Sequence, residues 1–193
     1  MKRLILSAVL GLALAGPALA ANYAIDGNHT QVHFTYSHFG FSNLSGRLNQ
    51  VTGSFDFDPA DPSKSSIDVT VPMSTLSTGV PKLDTHLSSA DFFEVEKFPT
   101  ATFKSTGVTV TGKDTLDVAG DLTIHGVTRP VVLNVTINSL AERRGMPAAG
   151  FDAVTTIKRS EFGVDRMIPA VPDEVKLRIT METQVPKPEA AAK

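Results

Sequence analysis

The sequence predicts an all-β fold, an extended antiparallel β-barrel of about eight strands with one or two short helices. The main observation is that apolar residues return at every second position in nine segments of the chain. This period puts alternate side chains on opposite faces of a strand, so a curled sheet acquires an apolar inside and a polar outside. The predicted strands are residues 31–38, 51–57, 66–72, 100–105, 108–112, 115–125, 130–138, 151–158 and 174–184.

The second observation is that the connections between these strands are short and rich in turn-forming residues. Residues 58–63 (Asp-Pro-Ala-Asp-Pro-Ser) and 112–114 (Gly-Lys-Asp) are examples. Residues 125–130 form a tight reversal, whereas residues 143–147 mark a longer loop. Because such connections are too short for crossover helices, neighbouring strands are expected to pair antiparallel.

One segment has the spacing of a helix instead. Leu83, Leu87 and Ala90 recur at i, i+4 and i+7 within residues 81–93, and a proline suits the first turn there. A second short helix is predicted over residues 39–48, although its two glycines weaken it.

The first twenty residues have the pattern of a signal peptide. Lys2 and Arg3 precede an apolar run over residues 4–15, and Ala18-Leu19-Ala20 fits a small-x-small cleavage site. We therefore expect residues 1–20 to be removed and the protein to be periplasmic.

The rest of the chain has the composition of one globular domain. Residues 21–185 are expected to form it, and residues 186–193 a flexible C-terminal tail. The formal net charge of −2 argues against nucleic acid as a partner. The absence of cysteine excludes disulfides, a thiolate nucleophile and cysteine-ligated metals.

A membrane-spanning barrel is a poor match to this pattern. Spanning strands need about 9–11 residues and aromatic girdles at both interfaces. Most segments here alternate over only five to eight residues, and the chain has no tryptophan and two tyrosines. We therefore predict a barrel that does not span the membrane.

The sequence carries no recognisable catalytic or metal-binding motif. Its five histidines lack His-Glu-x-x-His or His-x-His spacing, and no serine lies in Gly-x-Ser-x-Gly. We predict no enzymatic activity, no metal site and no cofactor.

The inward positions of the predicted strands are unusually aromatic, and they leave two alternatives open. An eight-stranded barrel has room either for its own side chains or for one small ligand. Alternation alone does not distinguish a filled interior from a hollow one. The inward aromatic residues are Phe34, Tyr36, Phe55, Phe57, Phe103 and Phe151.

Six motifs, taken in order, resemble the YceI family of exported lipid- and polyisoprenoid-binding proteins. They span the chain from Tyr23 to about Met181. The motifs are residues 23–29 (Tyr-Ala-Ile-Asp-Gly-Asn-His), 32–40, 84–93 (Asp-Thr-His-Leu-Ser-Ser-Ala-Asp-Phe-Phe), 98–105, 118–131 and 158–163 (Lys-Arg-Ser-Glu-Phe-Gly).

The resemblance implies a lipocalin-like barrel whose tunnel holds a long apolar chain, such as a quinone tail or a polyprenyl chain. It further implies a non-enzymatic periplasmic carrier whose partner is an apolar lipid. A homodimer and a respiratory or envelope partner at the inner membrane are compatible with it.

The resemblance and the alternation of the strands, which decides which side chains face inward (their parity), together give candidate site residues. The tunnel wall is expected to contain Phe34, Tyr36, Phe55, Val69, Phe103, Leu122, Leu133 and Leu177. A lid or contacts to a ligand head group are expected from His38, His86, Phe92, Phe93 and Arg159.

Three alternatives to these roles stay open. The polar residues of the second set could be purely structural, with His86 fixing the helix against the barrel. The protein could be a stress-response or structural barrel with a filled interior. It could also be an enzyme acting on a lipid, which would require titratable groups such as His38 and Arg159 to converge on the cavity.

Overall fold

The structure is a computed structural model that describes residues 21–188. The predicted signal peptide, residues 1–20, lies outside the described residues, as do the last five residues of the predicted tail. Residues 186–188 are exposed and follow the last strand without regular structure.

The described chain contains ten β-strands, one α-helix and three short 3₁₀ turns. The strands are β1 (Ala21–Ile25), β2 (Gln31–His38), β3 (Ser42–Leu48), β4 (Thr52–Phe57), β5 (Ser66–Pro72), β6 (Thr100–Val110), β7 (Thr115–Ile124), β8 (Val127–Arg143), β9 (Met146–Lys158) and β10 (Glu174–Gln184). The helix is α1 (Pro81–Ser88), and the 3₁₀ turns are Pro62–Lys64, Met73–Thr75 and Arg159–Phe162.

The strands form a closed antiparallel barrel with eight strand positions, which confirms the predicted fold class. β1 and β2 lie one after the other along β10, and β3 and β4 lie along β2 and β1. β1 and β2 therefore share one strand position, and β3 and β4 share the next one. The remaining positions follow in chain order from β5 to β10, and the β1–β10 pairing closes the barrel.

The barrel has one irregular junction, between β3 and β5. β4 pairs with β5, but β3 bends away and makes only an isolated bridge between Arg47 and Ser77 on that side. Residues 73–99, which we call the helical segment, connect β5 to β6 here and include α1. Met73 and Leu87 of this segment pack with Phe34 of β2.

The predicted second helix over residues 39–48 is wrong, because these residues form a hairpin with β2. Residues 42–48 pair in register with residues 32–38. Leu44, Gly46 and Leu48 point inward while the residues between them are exposed. Gly46 is required because a Cβ there would lie 2.3 Å from Cζ of Phe34.

Other boundaries also differ from the prediction. β1 was not predicted, and the two predicted strands over 100–112 are the single strand β6, interrupted by a bulge at Ser105 and Gly107. The predicted loop over 143–147 is a tight turn at Arg144 and Gly145 between the long strands β8 and β9. α1 ends at Ser88 rather than Phe93.

The barrel has two distinguishable ends. At one end, which we call the helix end, four connections come together because of the strand registers. They are the β2–β3 turn, the helical segment, the β7–β8 turn and residues 159–173. The opposite end, which we call the aromatic end, holds a buried cluster of aromatic and small side chains. The cluster consists of Tyr23, Phe55, Phe57, Ala149 and Phe151.

Candidate functional site

The barrel encloses an apolar cavity of about 390 Å³ that runs from the aromatic cluster to the helix end. This volume falls within the range of roughly 300–1,000 Å³ that is usual for small-molecule pockets. All eight strand positions and the helical segment contribute side chains to its wall.

The inside of the barrel is hollow, because several inward apolar side chains stay only partly covered by their neighbours. Leu133 and Val135 of β8 and Leu177 and Ile179 of β10 have inward parity but are only half-buried. Each of them lines the cavity. Their remaining exposure is therefore exposure to the internal space, and a ligand that filled it would cover them.

The eight residues predicted for the tunnel wall all lie on the wall of this cavity. They come from seven different strands, so the inward face of each of these seven strands was assigned correctly. Their contact with a ligand stays a prediction. The eight are Phe34, Tyr36, Phe55, Val69, Phe103, Leu122, Leu133 and Leu177.

The five residues predicted for a lid or head-group contact also border the cavity, at the helix end. Phe92 and Phe93 follow α1 and pack over the buried side chain of Leu87. His86 contacts the ring of Phe92 edge-on at 5.0 Å between centroids, and its Nε2 lies 3.2 Å from Oδ2 of Asp91. His86 therefore supports the segment that covers the cavity.

Besides the bridge between Arg47 and Ser77, two groups of side-chain contacts fasten the helical segment to the helix end of the barrel. Asp91 forms an ion pair with Arg166, with Oδ1 and Nη1 2.8 Å apart. Phe98 packs against the ring of His125 at 4.5 Å, and Nε2 of His125 lies 3.7 Å from Oε2 of Glu94. These contacts hold the segment against two different loops of the helix end.

Arg159 is the one permanently charged side chain among the described residues that line the cavity. It is 9% exposed, and it anchors the loop of residues 163–173 through four backbone carbonyls. Nε donates to Pro172, Nη1 to Val164 and Arg166, and Nη2 to Val171, at 2.8–3.0 Å.

This environment leaves the guanidinium charged and partly available. Burial lowers the pKa of Arg159, and the carboxylates of Asp173 and Asp165 oppose that shift. Four of its five N–H groups have carbonyl acceptors, and the second N–H of Nη2 has no acceptor among residues 21–188. Arg159 therefore holds its loop in place, and one N–H of its guanidinium has no acceptor in the described part of the chain.

Tyr36 and His38 are two further polar residues of the wall at the helix end. Burial raises the pKa of Tyr36, and the nearby charge of Arg159 opposes that shift. His38 contacts the ring of Phe39 edge-on at 4.5 Å. His38 and Arg159 both border the cavity, but within residues 21–188 no hydrogen bond joins them into an acid–base pair.

Thr30 is a wall residue that the sequence analysis missed. Its side chain is buried and borders the cavity, and its Oγ1 has no hydrogen-bond partner among the described residues. Thr30 precedes β2 with the same even-numbered parity as Val32, Phe34 and Tyr36. Extending the alternation by two residues would have placed it on the wall.

A group that could hold a metal ion lies outside the cavity. The ligand atoms of Asp26, His29 and Glu182 are within 4.8 Å of one another. Nδ1 of His29 is 2.8 Å from Oδ2 of Asp26, and Glu182 is paired with Arg143 at 2.9 Å. These ion pairs account for the arrangement without a metal.

The fold and the cavity define a class, that of closed antiparallel β-barrels with an apolar interior. Within this class the chain belongs to the YceI family, since the YceI-like domain model matches residues 23–183. A UPF0312 protein of Azotobacter vinelandii is 41% identical over 187 residues, which are 94% of this chain and 97% of that protein.

Solved structures show the same barrel. Burkholderia cenocepacia BcnA matches with a TM-score of 0.74 and 25% identity, over 82% of this chain and 98% of that chain. A polyisoprenoid binding domain from Saccharophagus degradans matches with a TM-score of 0.66 over 86% of this chain and 99% of that chain. Its identity is 15%, so this second similarity concerns the fold alone. Among residues 21–188, no helix has the length and hydrophobicity needed to cross a bilayer.

Proposed function

We propose that this protein binds a long apolar lipid in the barrel cavity and carries it in the periplasm. The observation that carries the proposal is the apolar cavity of about 390 Å³, bordered by half-buried aliphatic side chains. The interior is not filled by the protein's own aromatic residues, which favours a binding protein over a barrel with a purely structural role.

An isoprenoid chain, such as a quinone tail or a polyprenyl chain, suits this cavity. Each CH₂ group removed from water contributes about 0.8 kcal/mol, so a long hydrocarbon binds without a charged anchor. The Saccharophagus degradans domain with the same fold is described as polyisoprenoid binding, which supports this ligand class.

The polar groups of the wall suggest how such a ligand is oriented. Arg159, Tyr36 and His38 border the cavity at the helix end, and the aromatic cluster closes the other end. A head group with oxygen acceptors would lie near the remaining Nη2 donor of Arg159, with the tail directed toward the cluster.

As a carrier, the protein would exchange lipid with a membrane or with a respiratory or envelope protein of the inner membrane. We regard binding, rather than catalysis, as the role of the cavity. The wall offers no coupled acid–base pair among the described residues, and Arg159 is largely engaged in holding its loop. A homodimer stays a prediction.

Organic extraction of protein purified from its native host, followed by mass spectrometry, tests the proposal. We expect an isoprenoid lipid in stoichiometric amount. The matched variants Leu133→Arg and Val132→Arg lie on the same strand but on opposite faces, since Leu133 lines the cavity and Val132 is exposed.

Only Leu133→Arg should abolish loading, because it places a charge in the apolar space. Circular dichroism shows whether both variants remain folded. Equal loading of the two folded variants, or an extract without apolar lipid, would contradict the proposal.

A further inference from the structure

The β2–β3 turn at the helix end exposes two large aromatic side chains. We call residues 39–41 the hairpin tip. Phe41 is 92% exposed and Phe39 is 41% exposed. Neither ring lines the cavity, so their exposure is to the outside of the molecule. Exposed apolar side chains grouped at one place are typical of interaction sites.

The backbone conformation of the hairpin tip does not favour an aromatic residue at its first central position. The N–H of Phe41 donates to the carbonyl of His38 at 3.0 Å, and the two central residues, Phe39 and Gly40, have φ values of 53° and 75°. Turns of this kind favour Asn-Gly, and a bulky side chain at positive φ is a steric outlier. The geometry of the turn alone therefore does not explain the phenylalanine at position 39.

The hairpin that carries the tip lacks formal charge. From Thr30 to Gly46 the sequence contains no Asp, Glu, Lys or Arg. Charged side chains are strongly disfavoured inside a bilayer, and soluble surfaces are ordinarily rich in them. An uncharged hairpin with exposed rings therefore matches an apolar partner rather than a polar one.

The hairpin tip adjoins the cavity wall at the helix end of the barrel. His38 and Leu44, on either side of the tip, border the cavity, as does Met167 of the neighbouring loop. Met167 and Ile168 are themselves exposed, and Met167 also has a positive φ of 67°. Exposed apolar side chains thus lie on both the tip and this loop, and both segments adjoin the cavity wall.

We propose that the hairpin tip inserts into the surface of a lipid bilayer and places the helix end of the barrel against it. The proposal rests on the proposed function for its purpose, since a lipid that enters there avoids contact with water. A second copy of the chain is a poorer occupant. A stable protein interface needs about 800 Å² of fairly flat surface on each partner, whereas this is a narrow turn.

The sequence provides a direct test because it contains no tryptophan. The indole of a Phe41→Trp variant would be the only one in the protein. With vesicles of phosphatidylethanolamine and phosphatidylglycerol, its emission should shift to the blue and be quenched by bromine on the acyl chains. Val110→Trp is the matched control, because Val110 is 49% exposed and ends β6 at the opposite end of the barrel. Its emission should not change.

Unchanged emission of the Phe41→Trp variant, or equal changes in both variants, would overturn the proposal. A blue shift that depends on protein concentration without vesicles would identify a second copy as the partner and also overturn it.

The double variant Phe39→Ser with Phe41→Ser separates docking from lipid binding. Its affinity for the same vesicles, measured by co-sedimentation, should fall by at least about tenfold, because two apolar rings are removed from the contact. Its binding of geranylgeraniol presented in detergent should not change, because neither residue lines the cavity.

The two failures are distinguishable. Vesicle affinity that is unaltered by the double variant refutes docking by the tip, whatever the protein binds inside. A wild-type protein that docks on vesicles but binds no geranylgeraniol or extracted isoprenoid refutes the proposed function and leaves the docking intact.

Discussion

The two ends of the barrel are built by the same alternation of apolar and polar residues, yet one is filled and the other is hollow. At the aromatic end, the rings of Phe55, Phe57 and Phe151 pack with centroids 5.2–5.5 Å apart. Toward the helix end, the inward residues are mostly aliphatic and face about 390 Å³ of open space. Side-chain size at inward positions, rather than strand pattern, decides which part of a barrel can accept a ligand.

The connections reinforce this difference. β1 and β4 bring three aromatic residues together at one end, where Tyr23 packs against Phe55 and Phe57 at 6.0 and 5.7 Å. At the other end, the helical segment separates β3 from β5. It covers the interior with the buried side chains of Met73, Leu76 and Leu87 and with the half-buried side chains of Leu83, Phe92 and Phe93. One end therefore contributes mainly to stability, and the other provides the site.

Truncation of one side chain at each end should show the largest contrast. Phe57 is 1% exposed, so Phe57→Ala should lower the free energy of unfolding by about 3–5 kcal/mol. Leu122→Ala should lower it by less than about 2 kcal/mol, since Leu122 already faces open space. Urea unfolding of delipidated protein measures both, and equal losses would mean that the two ends are packed alike.

Enlargement of a side chain should produce a smaller contrast in stability, again with the larger loss at the filled end. Ala149→Leu adds volume to the filled end and should cost about 1–3 kcal/mol through overpacking. Leu122→Phe adds volume to the hollow part, and its stability should change by less than about 0.5 kcal/mol or rise. Lipid loading should fall only in Leu122→Phe. Reduced loading in a folded Ala149→Leu variant would show that the cavity extends further than we describe.

The smallest effect is expected from the ion pair of Asp26 and His29, near the aromatic end. The hydrogen bond between them raises the pKa of His29 above its ordinary 6.5 and lowers that of Asp26 below 3.8. The histidine contribution is complete below its unfolded pKa and is lost as the pH rises through the raised value. The Asp26 contribution is present above its unfolded pKa and is lost as the pH falls through the lowered value.

The pair is therefore strongest between those two ordinary values. His29→Ala should lower the Tm slightly at about pH 5 and have almost no effect at about pH 9. Thermal unfolding followed by circular dichroism at the two pH values measures this. A difference that is larger at the alkaline pH would show that the pair does not stabilise the fold.

Much of the site could be predicted from the sequence because parity is a local property. Apolar side chains alternate with other residues along each strand, and closing the barrel brings all the inward-facing ones to the cavity wall. Examples are Phe34, Leu122, Leu133 and Leu177. β3 was missed because its inward set includes Gly46, which gives no apolar signal. The glycine is explained only by the ring of Phe34 on the neighbouring strand.

The remaining features depend on distant parts of the chain meeting. The role of Arg159 follows from a loop that returns over it, so that carbonyls of residues 164–172 surround the guanidinium. The cavity volume depends on the size of side chains from eight strand positions at once. Neither can be obtained from the spacing of residues in one strand.

The isolated bridge between Arg47 and Ser77 has a mechanical consequence. Two main-chain hydrogen bonds, of 2.9 and 3.0 Å, join Arg47 of β3 to Ser77 of the helical segment. The side-chain hydroxyl of Thr75 also bonds to the backbone of Asn49. Separating β3 from the helical segment breaks these two bonds, whereas separating β8 from β9 breaks a long ladder of them. The barrel wall is therefore held by few main-chain hydrogen bonds between β3 and the helical segment, and local opening of the wall should begin there.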